Sequence, residues 1–281
     1  MDPEAFRAES RDRWERSAAG WVAVREEFRR DTAPVTDWML EVAGVRPGMT
    51  VLEVGAGPGD LGLEAARRVL PDGRAILTDG AERMVEAAKE WADELGLRDV
   101  EARTMEAEWL DLPAASVDVV LCRWAVMLLV DPEAALREMR RVLRAEGRLA
   151  VAVWDAPAAN PWLTRVHEVL VERGLAEAAV ADAPGPFALA DRERLADLLW
   201  GAGLTGVRVD AVDFVFRARS LDDWWQHVVQ TSQRTADVVA GLSPAEHYAL
   251  RDAVDAVYAP FADGDGAVTI PARTLVASAE A

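Results

Sequence analysis

The 281-residue sequence predicts an α/β protein, a doubly wound and mostly parallel sheet of seven strands with an N-terminal helical cap and an inserted helical lid. Three observations predict it. From residue 50 to 154, apolar strand-like runs alternate with segments of helical periodicity, the pattern of a parallel sheet covered on both faces. The first run, VLEV at 51–54, stops abruptly at glycines 55, 57, 59 and 62, a tight turn into a helix. Helical segments dominate before residue 44 and again at 220–258.

In chain order, 3–44 reads as helix, with Trp14, Trp21, Phe28 and Trp38 among charged residues, and GVRPGMT then turns into the strand at 50–54. Residues 60–70 and 81–95 have helical periodicity; RAILT at 74–78, VEART at 100–104, VDVVLC at 117–122 and RLAVAVW at 148–154 read as buried strands. Between the last two, PEAALREMRRVLR at 132–144 is a helix, with Pro132 suited to its first turn and Gly147 shortly after its end. Past 155, the Pro/Ala loops DAPAANPW and ADAPGPF flank a helix at 162–173. A helix at 190–202, a strand at 206–216, two or three helices over 220–258 and a final strand in GAVTIPARTLVASA complete the pattern. The expected division is a cap at 1–44, a core at 45–216, a lid at 217–262 and the core's last strand at 263–281.

Composition narrows the function. A net charge of −18, from 49 acidic and 31 basic residues, repels nucleic-acid phosphates and anionic membrane surfaces, so neither is expected as a partner. The single cysteine, Cys122, excludes an intramolecular disulfide and a cysteine-rich zinc site, and His167, His227 and His247 lack metal-ligand spacing, so no metal is expected. The N-terminus, MDPEAFRAESRDRWERS, is unlike a signal or transit peptide. The most apolar stretch, Val117 to Val130, is too short to span a bilayer and carries Asp118 and Arg123. A reducing cytoplasm and a monomer or homodimer are the expectation.

GPGDLG at 57–62 matches G-x-G-x-x-G, which alone is a weak signal for a dinucleotide. In a nicotinamide or flavin enzyme such glycines bring a pyrophosphate to the next helix's N-terminus. Here Glu53 ends the strand and Asp60 opens the helix, and two carboxylates would repel a pyrophosphate but suit a cationic ligand such as the sulfonium and ammonium of S-adenosylmethionine. Asp60 serving only as an N-cap is the plainer alternative. Asp79, 20 residues after Gly59, can accept from both ribose hydroxyls, a role shared with NAD enzymes. Glu106 and Ala107 follow the third strand, where a carboxylate and a backbone N–H can read adenine. CRWAVM, from Cys122, ends the fourth strand at the expected methyl-transfer position.

With these motifs in order, the run from about 45 to 155 resembles the Rossmann-like core of class I S-adenosylmethionine-dependent methyltransferases, in the branch containing quinone-biosynthesis methyltransferases. VLEVGAGPG resembles that family's first motif, LTDGAERMVEAAK its acidic second-strand motif, and the run from MEAEWLDLP to AVAVWD its remaining motifs. The resemblance implies that Glu53, Gly55, Ala56 and Gly57 hold the methionine part, Asp79 and Gly80 the ribose, and Met84, Glu106, Ala107 and Glu108 the adenine, with Cys122, Arg123 and Trp124 beside the cofactor. Relatives often carry Asp where Glu106 stands, and many carry a histidine where this chain has Val126, Met127 and Leu128. A base offered from that place is therefore missing.

The resemblance implies transfer of a methyl group to the oxygen, nitrogen or carbon of a small molecule. In-line displacement at a sulfonium carbon needs mainly alignment, worth ~7–11 kcal/mol, and a base would add ~10²–10⁴-fold. Candidate bases are His227, His247 and Tyr248, for which helix packing or a solvent-facing place is the simpler account, and Asp155, better placed just past the fifth strand, though turn capping also explains it. Arg123 could orient an anionic substrate or pair with a nearby carboxylate. Trp14, Trp21, Trp124, Trp224 and Trp225 suggest an aromatic wall enclosing an apolar acceptor under the cap and lid. A non-methylating relative (regulatory or a cyclase) and a nicotinamide-dependent oxidoreductase stay open as alternatives.

Overall fold

A computed structural model describes residues 2–180 and 183–281; Ala181 and Asp182, which open the ADAPGPF loop, lie outside the described residues. The N-terminal segment is three helices, α1 (Pro3–Ala23), α2 (Arg25–Asp31) and α3 (Ala33–Val42). The α1 helix starts where the Asp2 carboxylate accepts the Glu4 N–H at 3.0 Å and Pro3 takes the first helical position. Only Ser17 and Ala18 of its 21 residues are buried, so α1 is not a core helix.

The core follows as β1 (Thr50–Val54), α4 (Asp60–Val69), β2 (Arg74–Asp79), α5 (Glu82–Glu94), β3 (Val100–Thr104), β4 (Val117–Arg123), α6 (Pro132–Val142) and β5 (Leu143–Trp154). Then come α7 (Pro161–Glu172), α8 (Arg192–Gly201), β6 (Thr205–Ala218), α9 (Leu221–Thr231), α10 (Gln233–Gly241), α11 (Pro244–Tyr258) and β7 (Val268–Glu280). The seven strands lie in the order β3-β2-β1-β4-β5-β7-β6, and β7 runs antiparallel to both neighbours while β1 to β5 pair in parallel. Val51, Leu52, Val119, Val120, Leu149 and Val151 are fully buried, as strands covered on both faces require.

The strand expected at 148–154 begins earlier, at Leu143. Leu143 pairs with Val117, the register then slips, and Val119 pairs with Arg148; Glu146, at φ +64°, makes the bulge that absorbs the extra residues. The helix expected at 132–144 accordingly stops at Val142.

Helices α9, α10 and α11 connect β6 to β7, each opened by a serine N-cap (Ser220, Ser232 and Ser243). Trp224, Trp225 and Tyr258 are buried among them. The α9 helix packs on α1 and β6, and α11 on α7, so this helical layer supports α1 from behind. Among the described residues, no helix is long and apolar enough to cross a membrane.

Candidate functional site

The strand order reverses between β1 and β4, because β1 runs next to both β2 and β4 while its crossover leads to β2. A crevice opens there beyond the strand ends, lined by the glycine loop, α1 and the segment after β4.

One wall is the glycine loop. Gly55 has φ +70°, and a Cβ there would collide with the Ala125 side chain, so only glycine lets the β1 and β4 loops meet. Gly59, at φ +96°, is the N-cap of α4. Glu53 lies beneath the loop, 2% exposed, and a Cβ on Gly62 would strike its Oε2. That Oε2 is buried without a hydrogen-bond partner among the described residues. Burial pushes the Glu53 carboxyl up to about 8, so it is mostly protonated at neutral pH.

Asp79 closes β2. Its Oδ2 accepts the Gly57 N–H and its Oδ1 the Ala81 N–H, both at 2.9 Å, which fixes the loop to the carboxylate. Burial raises its pKa, and the two N–H bonds oppose that rise. Gly80, Met84, Glu106, Ala107 and Glu108 line the same end of the crevice, where Met84 is buried against Trp14 and Trp21.

Asp60 differs from its sequence-level reading. Gly59 takes the N-cap position, and Asp60, in the first turn of α4, forms a buried ion pair with Arg123. Arg123 also donates to Thr36 Oγ1 at 2.8 Å, and its guanidinium lies over the Trp124 ring, 4.7 Å from the centroid. Two free negative charges therefore do not bracket the loop: one is neutralised by Arg123 and the other, Glu53, carries a proton. Of the two roles weighed for Arg123, the ion pair is the one observed.

The far wall is aromatic. Trp21 packs edge-on to Phe28 at 5.1 Å and Phe28 edge-on to Trp124 at 5.6 Å. Trp124 adopts φ +57°, stacks on Trp154 at 4.2 Å and donates its indole N–H to Thr274 at 3.0 Å, which holds a conformation few non-glycine residues take. Leu128, Leu129 and Val130 continue the wall. Trp224 and Trp225 do not reach it, since both are buried within the α9–α11 layer.

Several expected residues also stand apart from the crevice. Cys122 is fully buried, and burial pushes its thiol up to about 12, so it is inert. His227 stacks on Trp224 at 5.0 Å behind the aromatic wall, and burial pulls its imidazole down to about 4. His247 lies beside Trp225, and Tyr248 is 72% exposed. The Asp155 carboxylate accepts the Ala156 N–H at 2.6 Å, capping a turn. None of these five is among the crevice-lining residues.

Trp14, expected in the aromatic wall, does line the crevice, and α1 adds residues the sequence reading missed: Phe6 and Ser10, at four-residue spacing before Trp14, face the crevice with it. Arg7 pairs with Glu108 at 3.3 Å, Arg11 pairs with Glu106, and Glu15 accepts the Arg83 N–H at the start of α5 at 3.1 Å. The four-residue spacing was visible in the sequence; the crevice it faces was not.

Comparison with known proteins agrees with this geometry. The family described as a methyltransferase domain matches residues 46–182. The chain is similar to the nocamycin O-methyltransferase of Saccharothrix syringae, 32% identical over 218 residues that cover 74% of this chain and 77% of that protein. It is similar also to the ubiquinone/menaquinone biosynthesis C-methyltransferase of Hahella chejuensis, 34% identical over 131 residues, 46% of this chain and 52% of that one. The chain thus spans about half the length of its quinone-biosynthesis relatives, at 49–52%. The YcgJ protein of Bacillus subtilis shares the fold, with a TM-score of 0.56 at 19% identity over 87% of this chain and 97% of that one.

Proposed function

The chain belongs to the class I S-adenosylmethionine-dependent methyltransferases, and we propose that it transfers the cofactor's methyl group to a small, apolar molecule held beneath α1. The observation that carries the proposal is the Glu53 carboxyl, buried with an unpartnered oxygen below a glycine loop that Asp79 fixes in place. A buried acceptor without a partner is costly, and an ammonium group supplies what it lacks.

In this reading Glu53 takes the cofactor's ammonium, and the backbone of Gly55, Ala56 and Gly57 follows its methionine part. Asp79, with Gly80, accepts from the ribose hydroxyls through lone pairs that the loop amides leave free. Met84 packs on the adenine, while Glu106 and the Ala107 N–H read its edge; Glu108, its side chain buried, stays paired with Arg7 beside them. When bound, the cofactor supplies an activated methyl carbon. The protein's own contribution is alignment: Trp21, Phe28 and Trp124 confine the acceptor, and α1 excludes water. His227, His247 and Tyr248 support the helical layer behind α1 rather than handle protons. The lone buried cysteine suits a reducing, cytoplasmic setting.

The test is an S-adenosylhomocysteine-release assay across phenols, amines and activated carbons. Release with one of these classes, lost in Trp21→Ala but without loss of cofactor affinity, is the expected result. Cofactor binding with no release from any acceptor would make the chain a non-methylating relative. Tight uptake of NADPH with S-adenosylhomocysteine ignored would overturn the cofactor assignment as well.

A further inference from the structure

Three guanidinium groups reach the crevice, and each engages a carboxylate: Arg7 with Glu108, Arg11 with Glu106, and Arg123 with Asp60. In the first two pairs the arginine side chains are 32% and 49% exposed, so water reaches the cation even where, as at Glu108, the carboxylate is buried. The third is different. The Arg123 and Asp60 side chains are 4% and 6% exposed, and both line the crevice between the glycine loop and the aromatic wall.

A buried ion pair is a poor device for stability, because desolvation offsets the attraction and an apolar pair of similar volume serves as well. Its effect on a neighbouring ligand is clearer. The Arg123 guanidinium lies over Trp124 at 4.7 Å and near Phe28 at 5.8 Å, so it stands at the edge of the acceptor wall. Unpaired, it would present a planar fork matched to a carboxylate. Asp60 takes one arm of that fork, and Thr36 and Thr32 accept from the guanidinium's other terminal nitrogen at 2.8 and 3.4 Å. The rest of the far wall, from Ala125 through Leu128 to Val130, is apolar.

We propose that Asp60, by holding Arg123, sets the charge preference of the acceptor pocket, so that it takes uncharged apolar acceptors and turns away those bearing a carboxylate. The inference rests on reading the crevice as a joint site for cofactor and acceptor. An anionic acceptor at this wall finds the Arg123 charge already balanced by Asp60, so it loses its own hydration on entering without gaining a free arginine. Asp60 here is a positioning residue that acts through Arg123.

The test uses two probes with one ring system, 2-naphthol and 2-naphthoate, titrated calorimetrically at pH 7 into the full chain saturated with S-adenosylhomocysteine. Wild type should hold 2-naphthol at least ~10-fold more tightly than 2-naphthoate. Asp60→Asn frees the guanidinium and should shrink or reverse that ratio by about tenfold, a charge-assisted bond gained. The double variant Asp60→Asn/Arg123→Gln should regain the preference for 2-naphthol, which a merely structural defect would not. Should Asp60→Asn fail to take up S-adenosylhomocysteine, Arg123→Gln carries the test: leaving Asp60 charged and unpaired, it should widen the discrimination against 2-naphthoate. Equal binding of both probes by wild type, binding of neither, or a ratio unmoved in the variants overturns the proposal. Failure of wild type to bind S-adenosylhomocysteine would instead sink the methyltransferase reading beneath it.

Discussion

Cofactor binding by this protein should release a proton, and Glu53 is the group that loses it. Burial raises its carboxyl from the ordinary 4.5 to about 8, so at neutral pH the empty crevice holds a neutral acid. An ammonium placed against the orphaned Oε2 favours the carboxylate and drives the proton off. Below pH 8 the affinity should therefore fall about tenfold per pH unit, which makes binding about 50-fold weaker at pH 6 than at pH 8, or ~2.3 kcal/mol. At pH 7 a group with that pKa is about 90% protonated, so about 0.9 proton should leave per cofactor bound. Isothermal titration with S-adenosylhomocysteine, in two buffers of different ionisation enthalpy, reads both quantities. Glu53→Gln should bind more weakly at pH 8 and show neither the slope nor the proton. A flat affinity between pH 6 and 8 with no proton released would refute the assignment of the ammonium to Glu53. In the empty protein the same raised pKa works in the opposite sense: its stabilisation is complete below pH 4.5 and is lost as pH rises through 8.

Acid should destabilise the fold partly through His227, whose imidazole is pulled from 6.5 to about 4 by burial. Its stability contribution is present above pH 6.5 and is lost as pH falls through 4, up to about 3 kcal/mol, so the urea midpoint of His227→Asn should fall less than that of wild type between pH 7 and 4. Gly55→Ala forces both a positive φ and a collision with Ala125, and should abolish S-adenosylhomocysteine binding in a titration while the thermal midpoint drops. The two tryptophans separate by place: Trp21→Ala should raise the acceptor KM and lower the thermal midpoint less than Trp225→Ala does. Trp225→Ala, deleting a side chain 3% exposed, should cost ~3–5 kcal/mol in denaturant unfolding.

The sheet and the glycine-loop end of the crevice were legible because their signals are local. Apolar runs mark buried strands whatever lies beside them, and glycines 55, 57 and 59 announce the positive φ values that they adopt. Asp79, one crossover later, follows from counting residues. Trp124 was singled out by its position after β4, and it lines the crevice as that position implied. Trp224, Trp225 and His227 have the same helical spacing that core and active-site residues share, and nothing in that spacing says which side of a helix the sheet will occupy.

By itself the sequence determined the chain order of strands and helices, the glycine turn and the acidic residues at the carboxyl ends of β1 and β2, Glu53 one residue before the end and Asp79 at it, since backbone preference and burial pattern are written within a few residues. Tertiary structure alone decided the partners: that Asp60 meets Arg123 across 63 positions, that Arg11 of α1 reaches Glu106 across 95, and that the α9–α11 histidines turn from the crevice. A charge in a sequence has no dielectric and no neighbour. Folding supplied both, leaving Glu53 a buried acid and Asp60 half of an ion pair.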